Sequence, residues 1–114
     1  METFGQTIKR LRKTKRITQL ELAERIGVDF TYVSKIENDR TLKSPAESTI
    51  RKLADVLEAN PEKLILLANK IPQNLQKTIV QEPLAVDFLR TVPKFNMNDR
   101  EEIRKIIEKA GNRN

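Results

Sequence analysis

The chain has 114 residues, a length that fits one small domain, or a domain with an appendage. It contains neither cysteine nor histidine, which rules out disulfides and thiolate metal sites and removes the usual players of nucleophilic, acid–base and zinc chemistry. The composition therefore predicts no enzyme, no metal and no cofactor. The net charge is +6, no apolar run approaches the roughly 18 residues of a membrane span, and charge stands at the start where a leader would be apolar. A cytoplasmic protein is the expectation.

Residues 4–15, FGQTIKRLRKTK, read as a first helix, with Phe4, Ile8 and Leu11 on one stripe and Lys9, Arg10 and Lys13 elsewhere. Residues 1–16 hold six Lys/Arg against one Glu, so the basic excess is concentrated at this end. Ile17 turns inward and Thr18 is an N-cap, with Glu21 completing a capping box. A second helix follows, with Leu22, Ala23 and Ile26 on its apolar face. Gly27 is placed to end it in the left-handed conformation. Val28 packs inward, Asp29 caps a third helix over Phe30 to Glu37, and Val33 and Ile36 face the core. Phe30, Thr31, Tyr32, Ser34 and Lys35 are left outward.

A small residue at Ala23, glycine at Gly27 and apolar residues at Val33 and Ile36 resemble the spacing of the DNA-binding helix-turn-helix. The flanks ITQLELAERIG and SKIEN are similar to the lambda repressor-like family (XRE, Cro/C1-type), and the resemblance covers roughly residues 4–70. It implies a five-helix DNA-binding domain whose third helix enters the major groove. On that basis Phe30, Thr31, Ser34 and Lys35 occupy base-reading positions. Lys35 can donate to guanine, Ser34 can bond either way, and Phe30 or Thr31 can touch a thymine methyl. Phe30 stands where the family is usually polar, so it either meets DNA or packs on the turn. Tyr32 either bonds a phosphate or packs sideways. Thr18 and Gln19 match phosphate contacts at a helix N-terminus, and Gln19 also matches a residue that braces the recognition helix. Arg12 and Glu37 match a pair that ties the first helix to the third.

Residues 38–45, NDRTLKSP, read as a loop. Asn38, Arg40, Thr41 and Lys43 match the family's phosphate-gripping loop, although Asp39 replaces the usual glycine and the loop is about two residues longer. Ser44, Pro45 and Glu47 give a cap, a proline in the first turn and a capping box, so a fourth helix is predicted from there to about Glu58. Asn60 and Pro61 start a fifth. Both close the core, with Ile50, Leu53, Ala54, Leu57, Leu64, Ile65, Leu67 and Ala68 inward.

Beyond about Lys70, Pro72, Pro83 and Pro93 cut the chain into short pieces. Helices are predicted over Gln73–Gln81 and Leu84–Thr91, then a last one capped by Asn98 with Glu101 and ended by Gly111. Phe88, Leu89, Ile103, Ile106 and Ile107 need a partner surface, and a second copy of the chain is the expected one. The tail IPQNLQKTIVQEPLAVDFLR is also similar to the C-terminal regions of repressors switched by a metalloprotease of the ImmA/IrrE type.

The expected architecture is thus all-α, a helix-turn-helix domain over 1–70 and a helical dimerisation or interaction region over 71–114. The expected function is sequence-specific binding of double-stranded DNA as a dimeric transcriptional repressor. The alternative is an antitoxin, or a DNA-binding protein controlled by a metalloprotease or antirepressor, whose tail is chiefly a site for a regulatory partner. RNA binding is disfavoured by the lack of exposed aromatic platforms.

Overall fold

A computed structural model describes residues 1–113. The fold is all-α. Its helices are α1 (Phe4–Thr14), α2 (Gln19–Ile26), α3 (Phe30–Glu37), α4 (Glu47–Leu57), α5 (Pro61–Leu67), α6 (Gln73–Gln81), α7 (Pro83–Thr91) and α8 (Met97–Gly111), with a 3₁₀ turn at Val92–Lys94. No strand occurs among the described residues. The chain divides into two compact units, Met1–Gln73 and Asn74–Asn114.

The first unit holds the core. Ile8 of α1, Leu22 of α2, Val33 of α3, Ile50 and Leu53 of α4 and Ile65 of α5 are all fully buried. Each such side chain removed from water contributes about 1.5–3 kcal/mol, so the apolar stripes read at helical spacing assemble these five helices. Val28 and Leu67, both expected inward, are half-buried, Val28 against the core, while Ala68 is buried at the end of α5 as expected.

The helix starts follow local chemistry. The Thr18 hydroxyl accepts from the Glu21 amide at 3.0 Å and the Glu21 carboxylate accepts from the Thr18 amide at 3.2 Å. Thr3 and Gln6 form the same reciprocal box at α1. Asp29 accepts from Thr31 at α3, and Asn60 from Lys63 at α5. The start of α4 departs from expectation. Ser44 is not its cap: Ala46 holds that position with no side-chain hydrogen bond. The Ser44 hydroxyl instead donates to the Ala68 carbonyl at 3.0 Å, closing the end of α5. Glu47 does not return a capping box either, because its carboxylate accepts from the Gln73 amide and from Arg51.

The helix ends in this unit share one device. Gly27 takes φ +74°, and a Cβ there would meet nothing within 4 Å, so the torsion alone selects glycine. Arg16, Asp39, Glu58 and Asn69 are also left-handed, with φ between 54° and 60°. Each follows the end of a helix.

In the second unit no residue of α6, α7 or α8 is fully buried. Pro83 sits in the first turn of α7. The cap of α8 is Asn96, with Asp99 completing the box, rather than Asn98 with Glu101. The earlier start is fixed by Arg100, which donates to the Val92 carbonyl at 3.0 Å and to the Phe95 carbonyl at 3.3 Å. Gly111 is the last residue of α8, where the helix was expected to end, and Asn112 is its cap. Phe88 and Phe95 meet edge-on, with ring centroids 5.7 Å apart.

Candidate nucleic-acid interface

The sequence of α2, the Gly27 turn and α3 builds a two-helix corner. Ala23 is 1% exposed, a small side chain at the inner face of α2. The Val28 amide donates to the Ala23 carbonyl at 3.0 Å, which closes the corner just past Gly27. Val33 and Ile36 anchor α3 from below. The opposite side of α3 then points to solvent, and it carries Thr31 and Lys35, both exposed, and Phe30, which is 44% exposed. Ser34 is half-buried beside them. Tyr32 is half-buried, with part of its surface packed against the core.

The end of α3 is tied to α1 and α2 by one buried carboxylate. Glu37 is 3% exposed. Arg12 Nε donates to its Oε2 at 2.6 Å and Arg12 Nη2 to its Oε1 at 3.0 Å, a two-pronged pair. Gln19 Nε2 donates to the same Oε1 at 3.0 Å. The remaining arm of Arg12 donates to the Ile17 carbonyl at 2.9 Å. Paired guanidinium geometry and a third donor offset the cost of taking a carboxylate out of water. The Gln19 amide keeps its carbonyl and one N–H beyond this contact.

After α3 the loop leaves on a fixed root. Asn38 Nδ2 donates to the Ser34 carbonyl at 2.8 Å, and the Arg40 amide to the Lys35 carbonyl at 2.8 Å. Arg40, Leu42 and Lys43 are exposed and Thr41 is half-buried. Thr18 is exposed at the start of α2, its hydroxyl engaged as the cap.

Two features were missed by the sequence reading. Part of the basic excess is structural: of the six cations in residues 1–16, Arg10 pairs with Glu2, Arg12 with Glu37 and Lys15 with Glu58. The hydrogen bonds from Arg10 and Lys15 hold the Glu2 and Glu58 carboxyls below the ordinary glutamate range. The second is a contact of Thr3 and Gly5 with Asp39. The only signals for it in the sequence are a glycine near the start of α1 and an acid where the family has glycine.

The expected dimerisation residues are divided in the second unit. Phe88 and Ile103 line a small hollow of about 150 Å³ with Val92 and Phe95. Leu89, Ile106 and Ile107 are 50–65% exposed.

A helix-turn-helix family model matches residues 8–64, and the chain belongs to that family. Over 71 residues it is 38% identical to the HTH-type transcriptional regulator RghRB of Bacillus subtilis, covering 62% of this chain and 50% of the relative. It is 31% identical over 108 residues to the immunity repressor protein of Bacillus phage phi105, covering 95% and 67%. It is 36% identical over 73 residues to the HTH-type transcriptional repressor RghR of Bacillus subtilis, covering 64% and 53%. The chain thus spans about half the length of RghRB and RghR. Among solved structures, the SinR protein/SinI protein complex is similar in fold, with a TM-score of 0.53 and 24% identity over 96% of this chain and 99% of that one.

Proposed function

We propose that this protein is a transcriptional repressor that binds double-stranded DNA sequence-specifically as a dimer, with α3 in the major groove. The observation that carries the reading is the braced corner: α2 and α3 meet at Gly27, and Glu37 locks α3 to Arg12 and Gln19. A recognition helix must be held rigidly, because base-edge hydrogen bonds tolerate little misplacement. On this reading Thr31, Ser34 and Lys35 read bases, with Phe30 beside them. Thr18, Gln19, Asn38, Arg40, Thr41 and Lys43 contact phosphates, while Tyr32 serves packing. The family is one of DNA-binding regulators rather than of enzymes. Relatives named as repressors support repression. No helix among the described residues is long and apolar enough to cross a membrane.

The exposed Leu89, Ile106 and Ile107 of the second unit support dimerisation there, and two half-sites about one helical turn apart would match a two-fold protein. Selection of duplexes from a random library with the purified protein tests the reading. A recurring, roughly palindromic site supports it. Equal retention of every duplex refutes sequence-specific binding.

A second reading, that the second unit also receives a regulatory protein, is favoured by the fold neighbour, whose structure is titled as a complex of two proteins. Deletion of residues 74–114 separates the two, since the entire buried core lies in the first unit. Lost operator affinity at nanomolar protein supports the dimer seam; retained affinity supports the partner site.

A further inference from the structure

Asp39 is an acid in the middle of a loop whose other charged residues are Arg40 and Lys43. An outward carboxylate there would repel a phosphate backbone. Asp39 is exposed, yet both its oxygens are engaged by the start of α1. Gly5 N–H donates to Oδ1 at 3.0 Å and the Thr3 hydroxyl donates to Oδ2 at 2.6 Å. The same hydroxyl accepts from the Gln6 amide at 3.1 Å, which aims its proton at Asp39. Free amides and the positive end of the helix dipole favour a carboxylate at this place. The approach is close: a Cβ on Gly5 would strike the Ile36 carbonyl oxygen and lie 2.6 Å from Asp39 Oδ1. The end of α3 and the start of α1 are therefore in direct contact, with Asp39 as the clasp.

Asp39 is left-handed, at φ 55°. Glycine would take that torsion without strain, but would lose both hydrogen bonds. The residue next in the chain is Arg40, whose amide is bonded to Lys35. The clasp thus fixes where the loop leaves the recognition helix.

We infer that Asp39 is a positioning residue for DNA binding: through Thr3 and Gly5 it holds the loop from Arg40 to Lys43 at one distance from the base-reading face of α3, so that both engage one duplex together. This rests on the DNA-binding reading above.

Asp39→Gly keeps the loop torsion and removes the clasp, and Asp39→Asn keeps its shape and one acceptor oxygen for the Gly5 N–H but sets an NH2 donor against the Thr3 hydroxyl. Removing an acid beside Arg40 should by simple charge tighten binding and steepen its salt dependence, so the clasp predicts the opposite sign for Asp39→Gly. The probes are a duplex that the wild-type protein selects from a random library and a random-sequence duplex pool, each titrated over a range of salt. For Asp39→Gly the expected result is about tenfold weaker binding to the selected duplex and a salt slope shallower by about one, the mark of one lost phosphate contact. Asp39→Asn, which keeps one of the two bonds, should fall between Asp39→Gly and wild type. Thr3→Val, which leaves the loop sequence and its charge intact, should shift the slope in the same direction. A purely structural role would lower the folded fraction, seen in the melting curve, and leave the slope unchanged. The inference is overturned if Asp39→Gly matches wild type in affinity and slope, or if the variants weaken with the wild-type slope. If the wild-type protein itself binds neither probe, the DNA-binding reading fails and this inference falls with it.

Discussion

Glu37 is a buried carboxylate, and three donated hydrogen bonds make its burial tolerable. Removing the main donor leaves a charge with one neutral partner. Arg12→Ala is therefore expected to lower stability by ~3–5 kcal/mol, measured by chemical denaturation with fluorescence or circular dichroism. Gly5 is constrained from outside rather than by its own torsion. Gly5→Ala should destabilise by about 1–3 kcal/mol, the usual range for overpacking, because the added methyl must push apart the contact of α1 with Ile36 and Asp39; an unchanged melting temperature would show that the contact yields freely. Lys35→Ala and Ser34→Ala should each relax base preference at one position of the selected site by ~1–3 kcal/mol, read by competition between duplexes. At this scale legibility depended on sequence distance. Thr18, Glu21 and Gly27 were readable because a cap or a turn is decided within four residues. The Arg12–Glu37 pair was readable only through the family resemblance. The contact of Gly5 with Asp39 spans 34 positions, and nothing local in the sequence records it.

Helix by helix, the sequence located every α-helix but not the 3₁₀ turn at Val92–Lys94, and it erred where two starts competed. Asn96 with Asp99 and Asn98 with Glu101 both satisfy the capping-box spacing in the same stretch. Arg100 decides for the first by reaching back to two carbonyls of the preceding turn. Ser44 looked like a cap, but a carbonyl at the end of another helix took its hydroxyl. Both errors come from tertiary partners that a local pattern does not contain. The apolar stripe of α8 bears on the proposed dimer. Ile106 is 65% exposed, so Ile106→Asp should leave the fold of one copy intact. The expected outcome is a monomer by sedimentation velocity, with helix content unchanged; a persisting dimer would place the seam elsewhere.

At the scale of the whole molecule, the local count of basic residues overstated what is free to meet a polyanion at that end. Three of the six cations near the start of the chain are engaged in ion pairs, two of them with glutamates at the ends of other helices, so this end offers fewer free cations than its six Lys/Arg against one Glu suggest. That distinction needs coordinates, because the partners Glu37 and Glu58 lie 25 and 43 residues from Arg12 and Lys15.

The helices of the first unit end on left-handed residues, and apart from Gly27 these are side-chain-bearing ones: Arg16, Asp39, Glu58 and Asn69. Residues of that kind sit in a narrow basin, costly to enter and walled on all sides, so each joint is an elbow with one setting. A body jointed in this way meets its target already shaped. Calorimetry of the whole protein with a cognate duplex should then show a modest heat-capacity change, accounted for by the surface covered, without the large excess that accompanies folding upon contact.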